Sequence, residues 1–237
     1  MQKAFRRIRK QWGAENPLFV TLIVIAGLLL TFGMIADEVM EGSTSAFDRE
    51  VVLAFRSLSN SSDPIGAPWV QSMARDITAL GSVVVLGIIL FSVVGYLLLT
   101  RKNVSAWLML AAVLGGSLLN SLLKYGFSRP RPDLFIQSTK LVTASFPSGH
   151  AALSAITYLT LAALLTRTTT SRQIRVFFIM IGVLLTLSVG VSRVYLGVHY
   201  PTDVFAGWCV GSAWALGCWA VFSRLQREGT VEPPGNS

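Results

Sequence analysis

Residues 192–203 read SRVYLGVHYPTD, and they separate two apolar runs, LTLSVGV before (185–191) and VFAGWCVGSAWALG after (204–217). Arginine, histidine and aspartate in so narrow a gap are expensive if the chain on either side lies in hydrocarbon, and polar groups at such a boundary usually mark a site or a pathway. The flanking runs decide the fold class. With 52% hydrophobic and 14% charged residues and a mean hydropathy of +0.59, the 237-residue chain has the balance of a membrane protein. Runs of about 18 or more mostly apolar residues can cross a hydrocarbon core about 30 Å thick. Six occur, approximately at Pro17–Ala36, Leu80–Leu99, Ser105–Leu123, His150–Thr166, Val176–Val191 and Val204–Phe222. The expected fold is all-α, a polytopic membrane protein with six transmembrane helices in one bundle.

A secretory signal is the competing reading of the first run, because QKAFRRIRK precedes it. The apolar segment is longer than a signal core, and ADEVMEG is a poor cleavage site. The formal charge of +8 does not describe a nucleic-acid module, since the basic residues are scattered through short connections. With the N-terminus inside, the cytoplasmic face holds Lys3, Arg6, Arg7, Arg9, Lys10, Arg101, Lys102, Arg167, Arg172, Arg175, Arg224 and Arg227, leaving eight of the 20 outside. Four of those eight, Lys124, Arg129, Arg131 and Arg193, belong to polar clusters, so the remainder obeys the positive-inside rule with both termini cytoplasmic.

The chain then divides into a basic segment 1–16, a membrane domain 17–222 and a polar tail 223–237 ending in the Pro/Gly-rich EGTVEPPGNS, which reads as disordered. The outer segment 37–79 contains DREVVLAFRSL, spaced as a short amphipathic helix lying at the bundle mouth or the lipid surface. Gly207, Gly211 and Ala215 in the sixth run, and Ala111 and Gly115 in the third, read as close-packing positions. Cys209 and Cys218, nine residues apart in one helix, cannot bridge and read as packing residues.

Both histidines, His150 and His199, fall at the outer ends of spans beside clusters of their own. KYGFSRPRP supplies Lys124 and Arg131, PSGH (147–150) opens the fourth span, and the quoted stretch supplies Arg193, His199 and Asp203. Lys124, Arg131 and Arg193 suit phosphate oxygens, and the start of a helix at Ser148 and Gly149 offers backbone N–H groups that an oxyanion can approach closely. Asp203, four residues after His199, can orient its imidazole for attack on phosphorus, leaving His150 to protonate the leaving alcohol and then activate water. The cations would stabilise the transition state, so no metal or other cofactor is expected, and Asp133 with Asp203 makes a poor cage for a divalent ion. Each fragment alone is often only a snorkelling cation or a helix cap.

The pattern K-x6-R-P (Lys124, Arg131, Pro132), P-S-G-H (Pro147, Ser148, Gly149, His150) and S-R-x5-H-x3-D (Ser192, Arg193, His199, Asp203) resembles the three-part signature of the type 2 phosphatidic acid phosphatase family, related at its active site to the vanadium haloperoxidases. The resemblance covers the third to sixth spans. It implies a six-helix lipid phosphatase of a bacterial plasma (inner) membrane, similar to phosphatidylglycerophosphatase B and undecaprenyl-diphosphate phosphatase members, with an extracytoplasmic, metal-independent site. It implies His199 as nucleophile, Asp203 as its partner and His150 as general acid, with Lys124, Arg131, Ser148, Gly149 and Arg193 on the phosphoryl group. Arg129 lies outside the minimal signature, and contact with a second phosphate is a hypothesis for it. A lipid phosphotransferase using the same site and a non-enzymatic lipid-phosphate carrier are the alternatives, with lipid phosphates and membrane lipids as the partners in each case.

Overall fold

The computed structural model describes residues 2–57, 63–132 and 144–228, with the backbone alone for 2–17 and 227. Asp133 and the tail 229–237 lie outside the described residues. Eight helices follow one another: α1 Gln2–Glu41, α2 Ser45–Ala54, α3 Pro68–Ala79, α4 Val83–Leu99, α5 Asn103–Phe127, α6 Gly149–Leu165, α7 Arg172–Tyr195 and α8 Pro201–Arg227. No strand occurs among the described residues, and the one extended contact is an isolated bridge between Arg56 and Pro64.

The six apolar runs each correspond to a helix, and α5 to α8 begin before the runs read from hydropathy. Ser82 accepts a hydrogen bond from the Val85 N–H and starts α4, while Pro68 and Pro201 occupy first-turn positions where a missing N–H costs nothing. The basic segment is continuous with the first span in α1, and α8 continues past Phe222 to Arg227, so the boundary drawn at 222 falls inside a helix. Among the described residues, four helices are long and apolar enough to cross a membrane (Leu18–Glu41 within α1, then α5, α7 and α8). A fifth crossing is available if α3 and α4, bent by 46° at a short break, form one span. Helix α6 is apolar but only 17 residues long, about 26 Å at 1.5 Å per residue. The chain is an integral membrane protein. Large apolar side chains on the outside of α1, α4 and α7, such as Leu30, Phe91 and Met180, face outward where lipid replaces water.

Helices α6 and α8 form the centre of the bundle. A Cβ on Gly207 would lie 2.7 Å from the Ser148 carbonyl oxygen, and one on Gly211 2.6 Å from that of Ala152, so the two backbones touch and only glycine fits. In α5 the close positions are Gly115 and Gly116, both against Trp214, whereas Ala111 is exposed. Trp214 donates its indole N–H to the Ala112 carbonyl (2.7 Å), which satisfies the polar end of a half-buried ring. Helix α1 closes the bundle through Ala36 and Val39, packed with Phe146 and Ala206.

The outer segment holds two helices rather than one. Helix α2 does not lie on a lipid surface: Val52 is wholly buried with Ala151, Val194 and Val204, and Asp48 is wholly buried beside it. Helix α3 lies along α7, and the Tyr158 hydroxyl bonds the Leu80 carbonyl at the break before α4 (2.7 Å).

Candidate active site

Lys124 ends α5, Gly149 and His150 begin α6, Arg193 ends α7 and Asp203 begins α8, so alternating helix directions place all four clusters at one end of the bundle. The Ser148 N–H donates to the Asp203 carbonyl (2.9 Å), joining the start of α6 to the first turn of α8. A Cβ on Gly149 would meet Asn120 Nδ2 at 3.3 Å and the Lys124 Cε at 3.4 Å, so the lysine reaches across to the α6 N-terminus.

His199 is 1% exposed, and its two ring nitrogens have different neighbours. Nδ1 lies 3.4 Å from Asp203 Oδ2 and 3.3 Å from Ser145 Oγ, and the Ser145 hydroxyl itself donates to the same carboxylate oxygen. An Nδ1–H shared between these acceptors makes Nε2 the acceptor nitrogen, and it accepts from the Arg131 guanidinium at 3.2 Å. Burial, opposed by the hydrogen bond and charge of Asp203, and reinforced by Arg193 and Arg131, pushes the His199 pKa down to about 3, so the ring is neutral.

Arg131 also donates to the Val198 carbonyl (3.0 Å), and burial lowers its pKa while Asp203 works the other way. Lys124 Nζ donates to the Ala144 carbonyl (2.9 Å) and Arg193 Nη1 to Thr78 Oγ1 (3.1 Å). His150 stands within Coulombic reach of Arg193, His199, Lys124 and Arg131. Two buried polar atoms at this end, Arg193 Nε and Ser148 Oγ, have no hydrogen-bond partner among the described residues. Buried donors left open beside a cluster of cations suit an anion with several oxygens.

The structure therefore brings together Lys124, Arg131, Ser148, Gly149, His150, Arg193, His199 and Asp203. It places Arg129 differently from the second-phosphate contact considered for it. Its Nη1 bonds Asp203 Oδ1 (2.6 Å) and Thr202 Oγ1 (2.9 Å), its Nη2 bonds Asp48 Oδ2 (2.7 Å), and its guanidinium lies 4.5 Å from the Tyr200 ring centroid. Burial opposes its charge, yet Asp203 and Asp48 hold its pKa above the usual arginine value. A guanidinium so occupied has little left to offer a second phosphate. Sequence reasoning also missed Asp48 and Ser145, which touch this network from outside the three motifs, and Thr202, an unspecified position within the third.

With this geometry in place, comparison with known proteins gives one family. The PAP2 superfamily description matches residues 105–227, and the chain belongs to that family. Phosphatidylglycerophosphatase B of Bacillus subtilis is 34% identical over 67% of this chain and 78% of its own length. An undecaprenyl-diphosphatase of Sulfolobus acidocaldarius is 34% identical over 47% of this chain and 50% of its own. A lipid A 1-phosphatase of Rhizobium johnstonii is 35% identical over 56% of this chain and 53% of its own. Among solved structures, a transmembrane PAP2-type phosphatidylglycerolphosphate phosphatase from Bacillus subtilis superposes with a TM-score of 0.77 at 27% identity, covering 86% of this chain and 98% of that one.

Proposed function

We propose that this protein hydrolyses a lipid phosphate or diphosphate through a phosphohistidine on His199, without a metal, at the extracytoplasmic end of a six-helix bundle in a bacterial plasma membrane, with both termini in the cytoplasm. The observation that carries the mechanism is the neutral, buried His199, tied at Nδ1 to Asp203 and with Nε2 held by an Arg131 N–H that an arriving phosphoryl oxygen can take over. An incoming phosphoryl group takes the N–H groups of Arg131, Lys124 and Arg193 and the open donors at Ser148. Nε2 attacks phosphorus, the bond from phosphorus to the lipid oxygen breaks, and the developing alkoxide takes a proton from His150, which takes that proton up from solvent once the bound phosphate's negative charge offsets the cations around it. His150, now neutral, removes a proton from water, whose oxygen attacks phosphorus and displaces Nε2, releasing inorganic phosphate. The fixed cations carry the charge that a metal would otherwise neutralise.

The named relatives act on phosphatidylglycerophosphate, undecaprenyl diphosphate or lipid A, and all three share a phosphoryl group at a membrane surface. The decisive experiment incubates purified protein in excess EDTA with phosphatidylglycerophosphate, phosphatidic acid, a polyprenyl diphosphate and lipid A. Free phosphate should accumulate from at least one of them, with no acceptor lipid present. Strict dependence on added magnesium sinks the metal-free mechanism; phosphate released only when an acceptor lipid is supplied makes the protein a phosphotransferase.

A further inference from the structure

Helix α2 lies outside every motif of the signature, yet Asp48 on that helix is as deeply buried as Asp203. Asp48 Oδ1 accepts the Thr202 N–H (3.1 Å), and Oδ2 accepts the Thr202 hydroxyl and Arg129 Nη2, each at 2.7 Å. Arg129 Nη1 then reaches Asp203 Oδ1 at 2.6 Å. That leaves Asp203 Oδ2 for the Tyr200 N–H (2.9 Å), the Ser145 hydroxyl and His199 Nδ1. The result is a buried line of alternating groups: carboxylate, guanidinium, carboxylate, imidazole.

The geometry points to Asp48 and Arg129 as a positioning pair for the nucleophilic histidine: together they lock the Asp203 carboxylate in the orientation that presents Oδ2 to His199 Nδ1, and set the net charge the imidazole feels. A carboxylate with only one oxygen anchored can turn about its last bond; Arg129 holds the second oxygen and removes that freedom. A guanidinium without a counter-charge of its own would draw off the negative charge that Asp203 owes the imidazole. Asp48 supplies that counter-charge and, by accepting from the first turn of α8, fixes the helix end on which Asp203 sits. The outer segment between α1 and α3 thereby becomes part of the site rather than a spacer.

The two members have opposite charge and therefore opposite electrostatic signatures. The other charged and titratable groups facing His199 are Lys124 from α5, Arg131 after it, His150 from α6, Arg193 from α7 and Asp203 from α8, and all stay in place in the variants. Asp48→Asn makes the surroundings of His199 more positive, so the ring stays neutral to lower pH. Arg129→Gln makes them more negative, so the ring takes up a proton at higher pH. This inference rests on the phosphatase reading for its kinetic readout alone.

The test measures kcat, KM and the acid limb of the pH profile of lipid phosphate hydrolysis for both single variants and for Asp48→Asn/Arg129→Gln, beside 15N-histidine NMR of the full chain in detergent. With two histidines in the sequence the spectrum is simple, and it reports the His199 titration whether or not a substrate turns over. The expected result is a loss in kcat of about tenfold in each single variant with KM within about twofold, and shifts of about half to one pH unit in opposite directions, the scale of a neighbouring charge. The double variant, which keeps the buried charge balanced if Asp48→Asn does not fold, should titrate between the singles and retain the loss in kcat. Shifts of the same sign, or wild-type kcat and titration in folded variants, overturn the positioning role. An NMR titration that behaves as expected in a protein releasing no phosphate from any lipid overturns the phosphatase reading instead.

Discussion

Helices α5, α6 and α8 have two ends built on opposite plans. At the end that holds the histidines, charged and polar side chains are packed until Asp48, His199 and Asp203 are almost fully buried, and each is held by named partners. At the other end the same helices leave an apolar cavity of about 600 Å³ lined by residues such as Met109, Ala112, Gly115, Ala163, Trp214 and Cys218. Arg167, the single charged residue lining it, bonds Ser223 (2.9 Å) and Gln226 and lies 3.9 Å from the Phe222 ring centroid. An apolar void in a bilayer is cheap because a lipid tail can fill it, whereas a buried charge must meet fixed partners or be expelled. Tight packing is therefore spent where chemistry needs fixed geometry, and the other end is left loose.

That contrast is most sharply tested by His199→Ala. Phosphate release should fall by about 10⁴-fold or more, because no other group takes over a covalent step, while the protein stays monodisperse in detergent. Substantial turnover by this variant would end the distinction between a reactive and an inert end.

Gly207→Val tests whether the backbone contact of α6 with α8 supports the site. A side chain meeting the Ser148 carbonyl oxygen at 2.7 Å forces the helices apart, so stability should fall by about 1 to 3 kcal/mol and activity more than tenfold. Gly217→Val, at a position with nothing within 4 Å, should leave thermal stability nearly unchanged; equal damage from both substitutions would break the comparison.

Acid should act through the end that holds the histidines. The native His199 ring, with its pKa near 3, refuses a proton that the unfolded chain takes up below about 6.5. Stability is thus undiminished by this group above that pH and falls below it, by about 2 kcal/mol at pH 5. The drop in thermal midpoint between pH 7 and pH 5 should shrink in His199→Gln, and an unchanged drop would show that other groups govern the acid response. The smallest effect is expected of Arg167→Gln, which should change phosphate release by less than about twofold, since it touches none of the reacting groups.

The sequence made one part of the site plain and concealed another for a physical reason. Lys124, Arg131, His150, Arg193, His199 and Asp203 stand out because each is a polar interruption of apolar chain, costly unless it has a purpose. Asp48 carries no such signal: in the segment 37–79, already rich in polar residues, a charged side chain costs nothing until the fold buries it, and Arg129, though it stands in a polar cluster, gives no sign that its partners are carboxylates. Helix α3 was hidden similarly, since its mixed composition reads as loop until it abuts α4 at a 46° bend.

Composition and hydropathy alone determined an all-helical membrane chain with its reactive groups gathered at helix ends, because apolar length and polar interruptions are local properties of the chain. The tertiary structure decided which nitrogen of His199 meets Arg131 and which carboxylate oxygen each donor takes. It also decided that Asp48, 155 positions before Asp203, belongs beside it. Those outcomes depend on how separate helices pack, and no local pattern in the sequence encodes the distance between them.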